Sequence, residues 1–300
     1  MNRRTFIKIN IPLVLAGHAD AQAAAGKPAL AFGVIADPQY ADIPAAGSRH
    51  YRNSIAKMNA AIDELNKHQL DFVVTLGDVI DRDLNSFRTM MPLYEKLTAP
   101  RRFVLGNHDF GVAPGDKGKV MATMNLPAAY HAETINGWHL IFLDGTEVST
   151  YRYPADNPKT KSAGEMRLGL ERLHRPQSQP WNGALGETQM TWLAQELKSA
   201  GQNNKRVIVF NHFPVYPLNQ PHNLWNDADV VTLLASFPNV VAYMNGHNHQ
   251  GNYAVHKGCH YVNFKGMVET PDTTAFAIVR CHADHVEIDG HGTEPDRALA

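Results

Sequence analysis

The sequence predicts an α/β protein whose strands run out into acidic, amide and imidazole side chains. Short apolar runs of strand length alternate with helical periodicities, and five of the runs stop at Asp, Asn or His. With 300 residues and 44% hydrophobic content, the chain can cover both faces of such strands. The stretch 71–81 organises the rest. Phe72, Val73, Val74 and Leu76 read as a doubly covered strand that stops at Gly77 and leaves Asp78 at its carboxyl edge, where open α/β sheets bind ligands. A carboxylate there has two oxygens and can touch two hard cations, so Asp78 is a candidate bridge between metal ions. By itself, Gly-Asp after a strand is equally a turn signal.

Earlier in the chain, an apolar strand over 30–36 ends in Asp37-Pro38-Gln39. Proline drives the chain out of the strand and sets Asp37 and Gln39 on one side of a bend, as two oxygen ligands or as an ordinary Asp-Pro turn. Ile55, Met58, Ile62 and Leu65 mark a crossover helix over 54–68. Asp81, three residues past Asp78, suits a supporting role better than a ligand role. A helix over 86–97 precedes a strand over 102–105, which ends in Gly106-Asn107-His108-Asp109. Glycine allows close backbone approach, Asn107 offers a neutral oxygen, His108 a titratable nitrogen, and Asp109 reads as structural.

A strand over 139–143 ends at Asp144, and residues 145–186 read as a long irregular insertion rich in Pro, Ser and basic side chains, among them Arg152, Arg167, Arg172 and Arg175. Segments of that length are lids, binding loops or disorder; the arginines read as a solvated face, with a phosphate contact as the sharper alternative. A helix over 187–199 leads to a strand over 206–210 ending in Asn211-His212-Phe213-Pro214. A helix over 228–236 leads to a strand over 240–244 ending in Asn245-Gly246-His247-Asn248-His249, whose alternate histidines can face one centre. Strands near 261–264, 275–280 and 286–289 are expected to complete a second sheet, and residues 294–300 to form a flexible tail.

Two cysteines, Cys259 and Cys281, would lie near one another if their strands formed a hairpin, which would permit a disulfide in an oxidising compartment. The first 25 residues carry Arg3-Arg4 before Phe6, Ile7 and Lys8, a short apolar core over 11–15 and Ala21-Gln22-Ala23: the layout of a twin-arginine export signal cleaved near Ala23. That core is shorter than the roughly 20 residues of a spanning helix. It implies passage through the twin-arginine machinery to the periplasm, with an uncleaved tether as the alternative. A net charge of −1 gives no global attraction to nucleic acid.

Taken together, Asp37-x-Gln39, Gly77-Asp78-x-x-Asp81, Gly106-Asn107-His108-Asp109, Asn211-His212-x-Pro214 and Gly246-His247-x-His249 resemble the calcineurin-like metallophosphoesterases over residues 32–289. The resemblance implies a four-layer α-β-β-α sandwich of two mixed sheets flanked by helices, spanning 26–293. Most of that superfamily has histidine where this chain has Gln39. Glutamine there, with Trp225-Asn226, Gly186-Glu187-Thr188-Gln189 and Gly266-Met267-Val268-Glu269-Thr270-Pro271, is similar to the manganese-dependent ADP-ribose/CDP-alcohol diphosphatase branch.

Carried over by position, Asp37, Gln39, Asp78 and His249 would hold one divalent metal, and Asp78, Asn107, His212 and His247 the other. An amide oxygen makes the first site harder, which favours Mn2+ or Mg2+ over iron or zinc. Such ions, about 3.5–4 Å apart, lower the pKa of a bridging water to give a nucleophilic hydroxide. His108 is then placed to protonate the leaving oxygen and Asp81 to orient His108. The substrate implied is a nucleoside diphosphate conjugate, with Phe110, Tyr216 and Trp225 as stacking surfaces for its base. Other readings are a phosphodiesterase or phosphomonoesterase on another organic phosphate, and a non-catalytic metal-binding module on the same fold.

Overall fold

The computed structural model describes residues 27–300, so the leader lies outside the described residues. Twelve strands form two six-stranded mixed sheets among these residues. In the first sheet β1 (Leu30–Ile35) lies parallel to β2 (Phe72–Thr75), which lies parallel to β3 (Arg101–Phe103). On the other side of β1 the antiparallel strands β10 (Ala275–Cys281), β11 (Val286–Gly292) and β12 (Arg297–Leu299) complete it. The second sheet runs β4 (His131–Ile135), β5 (Trp138–Phe142), β6 (Arg206–Phe210), β7 (Val240–Asn245), β9 (Cys259–Asn263) and β8 (Asn252–His256).

The two-residue period of the strands makes this a layered structure. Phe32, Val34, Phe72 and Val74 face Leu140, Phe142, Ile208 and Phe210 in one buried cluster between the sheets. Phe32 stacks on Phe72 with ring centroids 4.8 Å apart, and Phe142 on Phe210 at 4.9 Å. The alternate residues of the first sheet, Ile35, Val73 and Ile278, point outward onto Met58, Ile62 and Leu65 of α1 (Ser54–Leu65) and Phe87, Met90 and Leu93 of α2 (Leu84–Tyr94). Those of the second sheet, Ile141, Val207 and Val209, are covered by α5 (Glu187–Gln202) and α6 (Asp227–Ala235). The order helix, sheet, sheet, helix is the expected four-layer sandwich.

Several expectations change. The strands at 275–281 and 286–292 join the first sheet beside β1, not the second. Cys259 therefore belongs to one sheet and Cys281 to the other; the first packs against the helical layer, the second in the core between sheets, and both are free. Residues 145–186 are not irregular throughout: they contain α4 (Pro158–Arg172), started by Asn157, whose side chain accepts the Lys159 N–H. Of their arginines, Arg152 is buried and paired with Asp144 at 2.7 Å, Arg167 meets Glu171, and Arg175 donates to Asn219. Two hairpin turns carried signals that sequence reading passed over. Asn136-Gly137 joins β4 to β5, and Lys257-Gly258 joins β8 to β9, with positive φ at all four residues.

Residues 294–300, expected to be a flexible tail, supply the edge strand β12. Glu294 is buried, accepts the Lys265 N–H at 2.7 Å and pairs with Arg297, while Leu299 closes the inter-sheet core. Leu299→Ala is expected to destabilise the protein by about 2–4 kcal/mol, read as a lower urea midpoint with an unchanged slope. A frayed end would leave the midpoint where it was.

Candidate metal centre

The carboxyl ends of β1, β2, β3, β6 and β7 converge, and with them all seven residues the motifs single out. Asp37, Gln39, Asp78, His212 and His247 are buried, Asn107 nearly so, and the His249 ring is largely covered. Asp78, His212 and His247 offer ligand atoms within 4.8 Å of one another, a group able to hold a metal ion. Asn107 Oδ1 lies 3.1 Å from His212 Nε2, which is also 3.1 Å from His247 Nδ1 and 3.4 Å from Asp78 Oδ2. A second group adjoins it. Asp37 Oδ1 is 3.4 Å from His249 Nε2, and the Gln39 amide nitrogen is 3.1 Å from the same imidazole and 2.9 Å from Asp78 Oδ2. One oxygen, Asp78 Oδ2, thus belongs to both groups. The other, Oδ1, accepts the His108 N–H at 2.8 Å. The two groups thus share one oxygen of Asp78, while its other oxygen is occupied by a backbone N–H.

Backbone strain marks the same residues. Asp37, Gln39, Asp78 and His247 have φ of 49°, 42°, 53° and 69°, a left-handed conformation costing on the order of 1–3 kcal/mol each outside glycine. Asp109 holds the loop of Asp78 in it: its buried carboxylate accepts the N–H groups of Asp78 at 3.2 Å, Val79 at 2.8 Å and Gly106 at 2.9 Å. Burial, and Asp78 nearby, push Asp109 up to about 7. Gly106 must be glycine, because a Cβ there would overlap Asp78.

Each histidine turns its far nitrogen to an acceptor: His212 Nδ1 to the Leu76 carbonyl at 2.7 Å, His247 Nε2 to Asn182 Oδ1 at 2.9 Å, and His249 Nδ1 to Glu269 Oε1 at 2.7 Å. Such partners fix the tautomer and aim the remaining lone pair. Three imidazole lone pairs, two amides and two carboxylates then face one space. Asp37 Oδ1 and Gln39 Oε1 are buried there without a hydrogen-bond partner among the described residues. Apart from the Gln39 amide N–H turned to Asp78 Oδ2, the side chains facing this space accept rather than donate once the imidazoles are deprotonated, a set that fits cations. In the metal-free protein protons take their place: burial opposes charge on His212 and His249, but Asp78 beside the first and Asp37 beside the second raise both to about 9.

His108 is partly exposed at the rim. Its Nδ1 lies 2.9 Å from Asp81 Oδ1 and 3.3 Å from the Asp81 carbonyl. Burial works against its charged form, yet Asp78 and Asp81 outweigh it and raise its pKa, while Asp81 is drawn below the usual carboxylate range by His108 and Arg82 against its own burial. The expected stacking residues fare differently. Phe110 is core, under the Arg152 guanidinium, and Trp225 is core beneath the insertion, donating Nε1–H to the Gln179 carbonyl. Tyr216 stacks on His256 and lines a side cavity. Neither buried ring can receive a base.

Sequence reading passed over four residues here. Glu269 stood only inside a longer motif and Asn182 only within the insertion, as their roles depend on contacts with His249 and His247 far away in the chain. Arg49 and Trp181 line the cleft over His247 and His249 together with Gln39 and His108, and nothing in their neighbours announces it.

With the site in view, the likenesses to known proteins can be set beside it. The family model for calcineurin-like phosphoesterases matches residues 30–251. The manganese-dependent ADP-ribose/CDP-alcohol diphosphatase of Arabidopsis thaliana is 30% identical over 84% of this chain and 90% of its own length, and the Mus musculus protein of that name 28% over 92% and 94%. A dimetal phosphatase from Danio rerio superposes with a TM-score of 0.82 at 23% identity, covering 91% of this chain and 99% of its own.

Metal binding should compete with the two ring protons, so Mn2+ affinity is expected to rise as pH goes from 6 to 9, with proton release seen by titration calorimetry in buffers of different ionisation enthalpy. Without metal the sign reverses. Raised imidazole pKa values contribute stability that is full below about 6.5 and is lost as pH climbs through about 9. Glu269→Gln should weaken metal binding about 10–100-fold in the same titration. The motifs, the layered fold and the metal-binding group beneath the cleft agree with the family model over most of the chain, and the protein belongs to the calcineurin-like phosphoesterases, a family of metal-dependent hydrolases.

Proposed function

We propose that this protein hydrolyses the diphosphate linkage of nucleoside diphosphate conjugates of the ADP-ribose and CDP-alcohol type, using two divalent cations, Mn2+ foremost. The observation that carries the reading is the sharing of Asp78 Oδ2 between two ligand groups at the floor of a cleft. Asp37, Gln39, Asp78 and His249 would hold one ion, and Asp78, Asn107, His212 and His247 the other. The names of the relatives supply the substrate class, since those relatives align over nearly the whole chain.

When bound, the ions supply Lewis acidity, bringing a water's pKa towards neutrality and offsetting charge on phosphate oxygens. The chain's own residues do the rest. Arg49, whose charge also acts on Glu269, and Lys265 both line the cleft, where a cationic side chain can meet an anion. Local cations thus draw in a diphosphate although the whole chain carries a net charge of −1. His108, its Nδ1 turned to Asp81, keeps Nε2 free to give a proton to the leaving oxygen. A module that only bound metal would have no use for that dyad.

The leader reading stands beside this one. Arg3-Arg4 with the apolar stretch after it supports export by the twin-arginine machinery to the periplasm. Cell fractionation should find a chain beginning near residue 24 in the periplasm, and Arg3→Lys with Arg4→Lys should leave it in the cytoplasm.

Initial rates with Mn2+ test the substrate class. ADP-ribose and CDP-choline are expected to be turned over with higher kcat/KM than cyclic AMP or p-nitrophenyl phosphate; the reverse order would assign the site to phosphodiester or phosphomonoester chemistry. His108→Ala should lower kcat by about 10²–10⁴-fold with metal binding unchanged, and equal rates in mutant and wild type would remove the proposed acid.

A further inference from the structure

The cleft over the metal centre has two lobes. One, of about 360 Å³, is lined by His108, Asn107 and Trp181; the other, of about 540 Å³, by Lys265, Gln250, Ser48 and Thr293. Arg49, His222, His247 and His249 line both, so the lobes meet above the proposed metal ligands. Their chemistry differs. Trp181 brings a large ring that is 42% exposed, whereas the opposite lobe offers hydroxyls, the amides of Asn248 and Gln250, the Glu269 carboxylate and an ammonium.

Trp181 is also held in place. Asn182 beside it is buried, donates to the carbonyls of Gln177 and Pro221 and accepts from His247, and Trp225 fixes the same loop through the Gln179 carbonyl. Of the four tryptophans, Trp138 and Trp225 are buried, and Trp192 packs on Tyr130. An exposed ring on an anchored loop loses little entropy when a flat partner stacks on it. A nucleobase is such a partner and a ribose is not; a choline ammonium can also meet a tryptophan face, but only the base is common to both kinds of conjugate. The polar lobe suits a polyol or alcohol end.

Building on the diphosphatase reading, we propose that the cleft takes its substrate in one direction, with the nucleobase on Trp181 in the lobe of His108 and the sugar or alcohol end in the lobe of Lys265 and Gln250. The consequence is which phosphorus is attacked. His108 stands on the nucleoside side, so the oxygen it protonates is the bridging oxygen that leaves on the nucleoside monophosphate. Water's oxygen then bonds to the phosphorus of the sugar or alcohol phosphate, and the bond from that phosphorus to the bridging oxygen breaks. Its electron pair stays on the bridging oxygen, which takes the proton from His108. The water's proton passes to solvent, from which His108 is recharged.

Hydrolysis in H2(18)O reads this directly. With ADP-ribose the label should appear in ribose 5-phosphate and be absent from AMP, and with CDP-choline in phosphocholine and not in CMP. Label in the nucleoside monophosphate overturns the direction while leaving the diphosphatase reading intact; absence of hydrolysis of either conjugate removes that reading, and the direction with it. A measurement that needs no turnover addresses Trp181. AMP and CMP are expected to quench tryptophan fluorescence of the Mg2+-loaded protein, ribose 5-phosphate not to, and Trp181→Leu to abolish the quenching and raise KM for both conjugates at least tenfold. Quenching that survives Trp181→Leu, or equal quenching by ribose 5-phosphate, places the base elsewhere.

Discussion

A single carboxylate oxygen, Asp78 Oδ2, sits in both groups of ligand atoms, and the rest of the site is arranged to keep it there. The carboxylate's other oxygen is taken by the His108 backbone N–H, so the side chain cannot swing and give one oxygen to each group. The backbone beneath it is left-handed, as it is at Asp37, Gln39 and His247. Four unfavourable conformations in one site persist only where the surroundings over-determine them. Asp109 is the clearest of those surroundings: a buried carboxylate with few escapes from its own desolvation, it gathers N–H groups from the Asp78 loop and from Gly106 and so locks β2's exit to β3's. The residue read from sequence as structural is what holds Asp78 Oδ2 between the two groups.

The convergence of these residues was legible in the sequence because strands end abruptly. An apolar run of period two stops where the sheet stops, and polar residues at that point have nowhere to go but the shared edge; hence Asp37, Asp78, Asn107, His212 and His247 could be singled out as candidates from order, while their assignment to metal positions came only from the family resemblance. What could not be read were side chains whose role depends on a partner far along the chain. Glu269 serves His249 and Asn182 serves His247 with no spacing to announce either. Burial was misjudged for Phe110 and Trp225, since an aromatic residue near a motif reads the same in core and cleft. The last strands were placed in the wrong sheet because a short apolar strand carries no label for its neighbour: β10 pairs antiparallel with β1, at the other end of the described chain, and only the paired register reveals it.

The insertion illustrates how composition can mislead. Rich in Pro, Ser and basic residues, residues 145–186 suggested a solvated flap. Yet Arg152 is buried against Asp144, Val148 bridges to Ala184, and Asn182 reaches a histidine at the centre of the site. The segment packs as a wall, joining the metal centre to the only exposed tryptophan among the four. Coupling of that kind gives the substrate pocket and the proposed metal position a common mechanical support, so that a change at either is felt at the other.

Charge is the physical basis on which the proposed metal centre would favour a diphosphate. On the proposed ligand set only Asp37 and Asp78 are anionic; Gln39 and Asn107 are amides, and the three imidazoles are neutral once metal displaces their protons. Metal-free, the raised pKa values of His212 and His249 balance the two carboxylates. Exchanging those two protons for two divalent ions would leave the ligand set with a net positive charge even with a bound hydroxide, and Arg49 and Lys265 would add to it at the rim. A diphosphate linking two organic groups carries two negative charges, spread over adjacent phosphoryl groups. Bound as proposed, it would offset charge at the floor of the cleft while leaving its ends to the lobes on either side. An acidic residue in place of Gln39 would lower that net positive charge and weaken the match.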